Sequence, residues 1–320
     1  MKRLAGIALK LLVSVGLVAF LLTRIDLVSV HEAFAGMASH WFAVAVVLFA
    51  ASNVLGAVQW HLLLRAQDLE VRFRSALTSY FVGVFFNNLL LGNIGGDAVR
   101  VLDIRRLTGQ ASGGVAATLM DRFIGLLSTC TLALIAYPLI ADPRRAWLVS
   151  ALVPVWLGLV VLLCMGLSRR IGAFLEGLVT RLAPAVVADL VARLRRSIVV
   201  YRERARLLAG LFALSLVVQL CRILVYWAAG LALGMDPGMI YFVCFQPVAA
   251  ILAALPISVG GLGVREGALV ALFTGAGISR ELSLAMSVLG YVAGILGSLL
   301  GGVAFVARRL EPSPSSGGEP

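Results

Sequence analysis

Apolar runs of membrane-crossing length dominate this chain, and two of them break at a double glycine and then present an arginine. The clear runs cover about residues 4–22, 41–63, 115–140, 147–167, 207–233 and 283–307. Most reach the ~20 residues that a helix needs to cross ~30 Å of hydrocarbon, so each is predicted to be a full span. Two further apolar segments, about 75–91 and 240–255, run into Asn93-Ile94-Gly95-Gly96-Asp97-Ala98-Val99-Arg100 and Ser258-Val259-Gly260-Gly261-Leu262-Gly263-Val264-Arg265-Glu266. A second short helical stretch follows each break, about 97–107 and 264–275. Polar breaks inside apolar helices are expensive in a bilayer, which makes them the first places to look for function.

Composition fixes the class. The 320 residues are 61% hydrophobic and 13% charged, against roughly 45–50% apolar and 25% charged in a soluble domain. The alternating ten-residue strands of a membrane barrel are missing. The expected fold is an all-α polytopic membrane protein with six full spans and two re-entrant or broken helical hairpins. It forms one transmembrane domain over residues 1–310, and the polar tail 311–320 is predicted to be disordered. Lys2 and Arg3 before the first run resemble a signal peptide, but the run is too long and Arg24, Asp26 and Glu32 make a poor cleavage region. An uncleaved first span is expected.

Charge sets the topology. Between Ser168 and Arg206 nine arginines face Glu176, Asp189 and Glu203, a local +6 that marks the cytoplasmic side. Nucleic-acid binding is not expected from the net +11, because the basic residues do not form a binding face. With the N-terminus inside, two spans return the chain to Arg65, Arg72 and Arg74. The +6 segment is inside only if the first glycine break belongs to a hairpin that enters and returns. The same reasoning, run from the +6 segment to Arg308 and Arg309, makes the second break a hairpin entered from the opposite face. The order span, span, broken hairpin, span thus recurs with opposite orientation in half-repeats of about 1–141 and 146–307, an inverted-topology repeat. Tyr80-Phe81-Val82 and Tyr241-Phe242-Val243, each preceding a Gly-Gly break, support it weakly. Within 168–206, Ile171, Phe174, Leu175, Leu178, Val179 and Leu182 share one helical face, and Val187, Leu190, Val191, Leu194 and Ile198 share another across Pro184. Amphipathic helices on the inner leaflet are predicted there.

A double glycine lets the backbone turn and leaves free amides at the start of the next helix, a place that favours an anion. Arg100 and Arg265 add cations suited to phosphate oxygens. The candidate substrate-binding set is therefore Asn93, Gly95, Gly96, Asp97 and Arg100 in the first break, with Ser258, Gly260, Gly261, Gly263, Arg265 and Glu266 in the second. Asp97 also reads as a helix cap, and Glu266 as a first-turn carboxylate or the partner of Arg265. Asn87, Asn88 and Asn93 are placed to satisfy backbone groups freed by the break. Arg222, with Gln219 one turn earlier, stands in mid-span and should face protein or water, with Glu266 and Asp97 as candidate partners. Asp121 and Arg122 read as a self-satisfied pair or, for Asp121, as a titrating group; these four form the expected path or coupling residues.

No nucleophile with a nearby base, metal motif or nucleotide loop stands out, so neither enzyme activity nor a metal or cofactor is expected. Cys130, Cys164, Cys221 and Cys244 lie in apolar runs and have no metal or redox spacing with His31, His40 or His61.

At these residues the chain resembles the lysylphosphatidylglycerol synthase transmembrane-domain, or flippase-like, family. Gly95-Gly96-Asp97-Ala98-Val99-Arg100 followed by Arg105 and Arg106, the pair Asp121-Arg122 at the next span, and Pro256 through Glu266 carry the likeness, which covers roughly residues 5 to 307. The resemblance implies movement of a lipid between leaflets: an aminoacylated phosphatidylglycerol, another phospholipid or a polyprenyl-linked sugar. The family's fused synthases carry a soluble transferase domain after the membrane part, whereas this chain ends soon after Arg309, so synthase activity is not carried over.

The expected function is a flippase or transporter of a phosphate-bearing lipid in the bacterial inner membrane, with both termini cytoplasmic. The rival is a membrane subunit or intramembrane enzyme of glycolipid assembly that binds polyprenyl phosphate beside a glycosyltransferase partner. A scaffold holding anionic lipid through the +6 segment is a third.

Overall fold

A computed structural model describes residues 27–89, 94–140, 146–182, 184, 188–189, 192, 199–235, 237–255, 258 and 260–310. The predicted span at 4–22, Asn93, Pro256, all five residues of the second amphipathic face and the tail lie outside the described residues.

The described elements are helices. A short helix α1 (Leu27–Ala35) leads into α2 (Ser39–Arg65), and a turn whose Asp68 sits at φ 56° connects it to α3 (Phe73–Leu89). Then follow α4 (Ile94–Thr108), α5 (Ser112–Ala136), α6 (Ala146–Leu167) and α7 (Arg169–Leu182). The second half contains α8 (Ala205–Ala232), α9 (Met239–Ala254), α10 (Val264–Thr274) and α11 (Arg280–Leu310). Five helices are long and apolar enough to cross a membrane: α2, α5, α6, α8 and α11. At 1.5 Å per residue the 27 residues of α2 reach about 40 Å, whereas the 11 of α10 reach about 16 Å, half of a bilayer's hydrocarbon core.

The two short pairs, α3 with α4 and α9 with α10, each pack together as a hairpin. The first break differs from its prediction. Helix α4 already begins at Ile94, so Gly95 and Gly96 occupy its first turn instead of forming the turn itself. A Cβ on Gly96 would collide with the Gly83 carbonyl of α3, so Gly96 is there for close approach of the two backbones. In the second break Gly260, Gly261 and Gly263 have φ of 61°, 77° and 81°, a left-handed run that side chains other than glycine rarely accept. These glycines do make the turn.

Helix packing has an internal correspondence. Helices α2 and α8 pack on each other; α3 packs on α11, and α9 on α5. The remaining contacts among α2–α5 and α8–α11 match pairwise: α2–α3 with α8–α9, α2–α5 with α8–α11, α5–α8 with α11–α2, and α4–α5 with α10–α11. Exchanging α2–α5 for α8–α11 maps this set of contacts onto itself. The shared Tyr-Phe-Val triplets do not follow it, because Tyr80 is the eighth residue of α3 and Tyr241 the third of α9.

Two apolar cores hold the bundle. One centres on Phe242, Phe245 and Phe273, whose rings meet at 4.8 and 5.2 Å across α9 and α10. The other gathers Trp60, Leu63, Leu64, Ile104, Met120 and Tyr201, all fully or almost fully buried. Helix α6 leans on α5 at the periphery and exposes Trp147, Val155, Leu157 and Val161, an apolar surface suited to lipid. Helix α7 has exposed Phe174 and Leu178 with exposed Arg170 and Arg181.

Candidate functional site

A cavity of about 430 Å³ opens among the helices and is walled by both hairpins and by α2, α5, α8 and α11. Its lining is mixed; besides apolar residues such as Phe49, Val84, Leu126 and Ile251 it carries Asn53 and Gln59 from α2, Tyr80, Asn87 and Asn88 from α3, Gln219, Arg222 and Tyr226 from α8, Gln246 from α9, and Tyr291 from α11. Arg100, Asp121, Arg122 and Arg265 complete it. Side chains of this kind are costly inside apolar helices unless they face protein or a polar cavity.

The first hairpin reaches the cavity through a crossed set of ion pairs. Arg100 lies 3.1 Å from Asp121, and its side chain is 3% exposed. Gln59 donates to the other Asp121 oxygen at 2.8 Å. The Arg100 guanidinium also stacks on Trp60 and Tyr80, 4.3 and 4.4 Å from the ring centroids. One turn earlier Asp97 takes both forks of Arg122, at 3.0 and 3.1 Å, and stands 3.6 Å from Arg100. Asp121 and Arg122 therefore do not satisfy each other as expected; each bonds to α4. The free-amide expectation changes as well, since the Gly96 amide donates to Asn87 Oδ1 at 2.9 Å. Asn87 thus does what was expected of it, and Asn88 donates to the Gly294 carbonyl at 3.2 Å, tying α3 to α11.

The second hairpin presents Arg265. Its guanidinium contacts Glu266 at 2.8 and 3.1 Å and stacks over Tyr291 at 4.5 Å. The second Glu266 oxygen accepts the Gly263 amide at 2.7 Å and so caps α10. Glu266 is both first-turn carboxylate and partner of Arg265. Ser258 is buried, its hydroxyl has no partner among the described residues, and it is not part of the cavity lining.

Arg222 lines the cavity without either of its candidate carboxylate partners. It donates to the Tyr80 hydroxyl at 3.3 Å, and no ion pair joins it to Glu266, to Asp97 or to another carboxylate among the described residues. Four arginines line the cavity, and the three carboxylates bonded to them, Asp97, Asp121 and Glu266, leave one positive charge, on Arg222. A cation held this way at helix mid-length attracts an anion.

Sequence reasoning missed Asn53, Gln59, Trp60, Gln246 and Tyr291. A signal existed for the first two: Ser52, Asn53, Gly56 and Gln59 interrupt an apolar span at helical spacing. Asn53 is fully buried, and neither atom of its amide has a hydrogen-bond partner among the described residues; Gln59 Oε1 is in the same position. At the eighth position of α9 Gln246 stands where Tyr80 stands in α3.

The model of the family described as the lysylphosphatidylglycerol synthase TM region matches residues 7–302. A UPF0104 membrane protein of Methanothermobacter thermautotrophicus is 25% identical over 306 residues, 85% of this chain and 84% of its own length. A UPF0104 membrane protein of Pyrococcus horikoshii is 22% identical over 288 residues, covering 83% and 86%. The matched span takes in α1 through most of α11, including both hairpins and the cavity between them. The chain is thus a multi-pass membrane protein that belongs to the lysylphosphatidylglycerol synthase transmembrane-region family.

Proposed function

We propose that this chain moves a phosphate-bearing lipid between the leaflets of the bacterial cytoplasmic membrane, holding the headgroup in the cavity while the acyl or prenyl chains stay in lipid. The observation that carries this reading is the uncompensated Arg222 guanidinium in a cavity walled by both hairpins. Arg265 and Arg122 stand in the same wall to contact a phosphate as it enters or leaves. Arg100, spent on Asp121 and two aromatic faces, is an anchor of the wall and not the headgroup ligand expected from its motif.

Two features support alternation. The self-mapping of the helix contacts fits an inverted-topology repeat, in which two halves rock about a fixed site. The short α10 fits a re-entrant hairpin that ends inside the bilayer. In this reading both termini and the arginine-rich segment around α7 are cytoplasmic.

Proteoliposomes carrying a fluorescent phosphatidylglycerol test it by the rate at which an external quencher reaches inner-leaflet lipid. The wild type accelerates exchange, and Arg222→Gln returns it close to that of empty liposomes. Exchange no faster than in empty liposomes, or untouched by Arg222→Gln, overturns the reading.

A further inference from the structure

The three carboxylates at the cavity, the groups that would offset an ammonium charge, are each already bonded to an arginine. Both oxygens of Asp121 are taken, by Arg100 and Gln59. Both oxygens of Asp97 accept from Arg122, and both of Glu266 accept, from Arg265 and from the Gly263 amide. Aromatic faces are the other means of holding an ammonium. Arg100 covers Trp60 and Tyr80, and Arg265 covers Tyr291; Phe49 and Tyr226 also line the cavity, but neither brings a negative charge.

What remains open has a different chemistry. Arg222 offers a positive charge without a carboxylate partner among the described residues. Asn53, fully buried and facing the cavity, offers an amide donor and an amide acceptor that nothing among the described residues satisfies. Gln59 adds a second unsatisfied carbonyl oxygen. A phosphate has acceptors only, so it meets Arg222 and leaves the two amide oxygens without a donor. A hydroxyl both donates and accepts, and so completes them. An amine would also reach the amide oxygens, but as an ammonium it would bring a second positive charge beside Arg222 with no carboxylate left to offset it.

We infer that the headgroup this cavity takes is a phosphate ester of a polyol, such as glycerol, inositol or a sugar, and that an aminoacylated headgroup is rejected. This rests on the reading of the cavity as a lipid-headgroup site and narrows it. It also separates the chain from the substrate that its family's description would suggest.

Lipid titration of the purified full chain by native mass spectrometry tests both levels. The probes are phosphatidylinositol, phosphatidylglycerol, phosphatidic acid, lysylphosphatidylglycerol, a polyprenyl monophosphoryl hexose and soluble glycerol 3-phosphate. Phosphatidylinositol and phosphatidylglycerol are expected to bind about tenfold or more tightly than the lysylated lipid. Phosphatidic acid should fall between them. Asn53→Leu should bring phosphatidylinositol down to the level of phosphatidic acid, and Arg222→Gln should weaken both. Stronger binding of the hexose lipid than of the diacyl lipids assigns the polyol phosphate to a prenyl carrier, within the inference. Lysylphosphatidylglycerol binding as well as phosphatidylglycerol overturns the selectivity and leaves the headgroup site standing. Wild-type phosphatidylinositol and phosphatidic acid binding alike overturns the role of the hydroxyls. Binding of glycerol 3-phosphate as tight as that of the lipids overturns the lipid assignment, and binding of none of the probes overturns the site itself. The wild-type series decides selectivity without any variant, so a folding defect in Asn53→Leu does not obscure it.

Discussion

Arg100 and Asp121 meet at 3.1 Å with 3% and 9% of their side chains exposed, and that contact ties the first hairpin to the helix that follows it. Losing one member leaves the other as a buried charge without its partner, at a cost of about 3–5 kcal/mol. Asp121→Asn is therefore expected to lower the melting temperature in detergent sharply. Replacing both, with Arg100→Met and Asp121→Leu, should recover much of the loss, because an apolar pair leaves no charge uncompensated. A double-mutant cycle in thermal unfolding reads this directly, and independent, additive losses would show that the pair does not anchor the hairpin.

Gly83 makes the same anchor possible from the other side. A Cβ there would stand 2.5 and 2.6 Å from Cγ and Cδ of Arg100 and 3.0 Å from the Gly96 carbonyl. Gly83→Ala must push the arginine off its aromatic stack, and overpacking of this kind costs about 1–3 kcal/mol. Gly96→Ala meets backbone instead of a side chain, so its loss should be the larger of the two. Unfolding curves for the two variants check the order.

These details mark where sequence legibility ends. Apolar run length placed α2, α5, α6, α8 and α11 within a few residues, because a helix that crosses lipid has little freedom in length. The Gly95-Gly96 pair was read as a turn, yet α4 starts before it and Gly96 serves backbone contact. Both uses require the absence of a Cβ, so glycine alone does not separate them. Adjacent residues can pair, as Arg265 and Glu266 do, but Asp121 and Arg122 do not pair with each other. Each instead meets an opposite charge on α4. Gln246 carries no motif, and only the cavity brings it together with Asn53.

Tyr201 links the turn before α8 to α2 by donating its hydroxyl proton to the Leu63 carbonyl at 3.2 Å. Burial pushes the phenol up to about 12, from ~10 in an unfolded chain. A raised pKa means that this contribution is fully present below pH ~10 and is lost as pH rises through the folded value. Tyr201→Phe should cost about 1 kcal/mol at neutral pH from the lost hydrogen bond. It should also flatten the fall in stability between pH ~10 and about 12. Melting temperatures across that interval test both.

Topology is checked by labelling. After replacement of Cys130, Cys164, Cys221 and Cys244, single cysteines go in at Glu203 and Arg280, both exposed and at the ends of helices α8 and α11. The proposed orientation puts Glu203→Cys on the cytoplasmic face and Arg280→Cys on the opposite one. A membrane-impermeant maleimide should label only Arg280→Cys in right-side-out vesicles and only Glu203→Cys in inverted ones. Labelling of both from one face would break the inverted repeat.

The second ion pair of the crossed set behaves differently from the first. Arg122 bonds to Asp97 through both forks, yet their side chains are 47% and 22% exposed. Solvated pairs of this kind contribute about 0–1 kcal/mol. Arg122→Gln should therefore leave the melting temperature nearly unchanged, in contrast to Asp121→Asn. In the proposed transport cycle Arg122 is the wall cation most exposed to an arriving phosphate, and Asp97 holds it until that phosphate competes. Its removal should slow leaflet exchange in proteoliposomes while the protein stays folded. A variant with normal exchange and a large stability loss would reverse the roles assigned to the two pairs, making Arg122–Asp97 the anchor and Arg100–Asp121 the contact that opens.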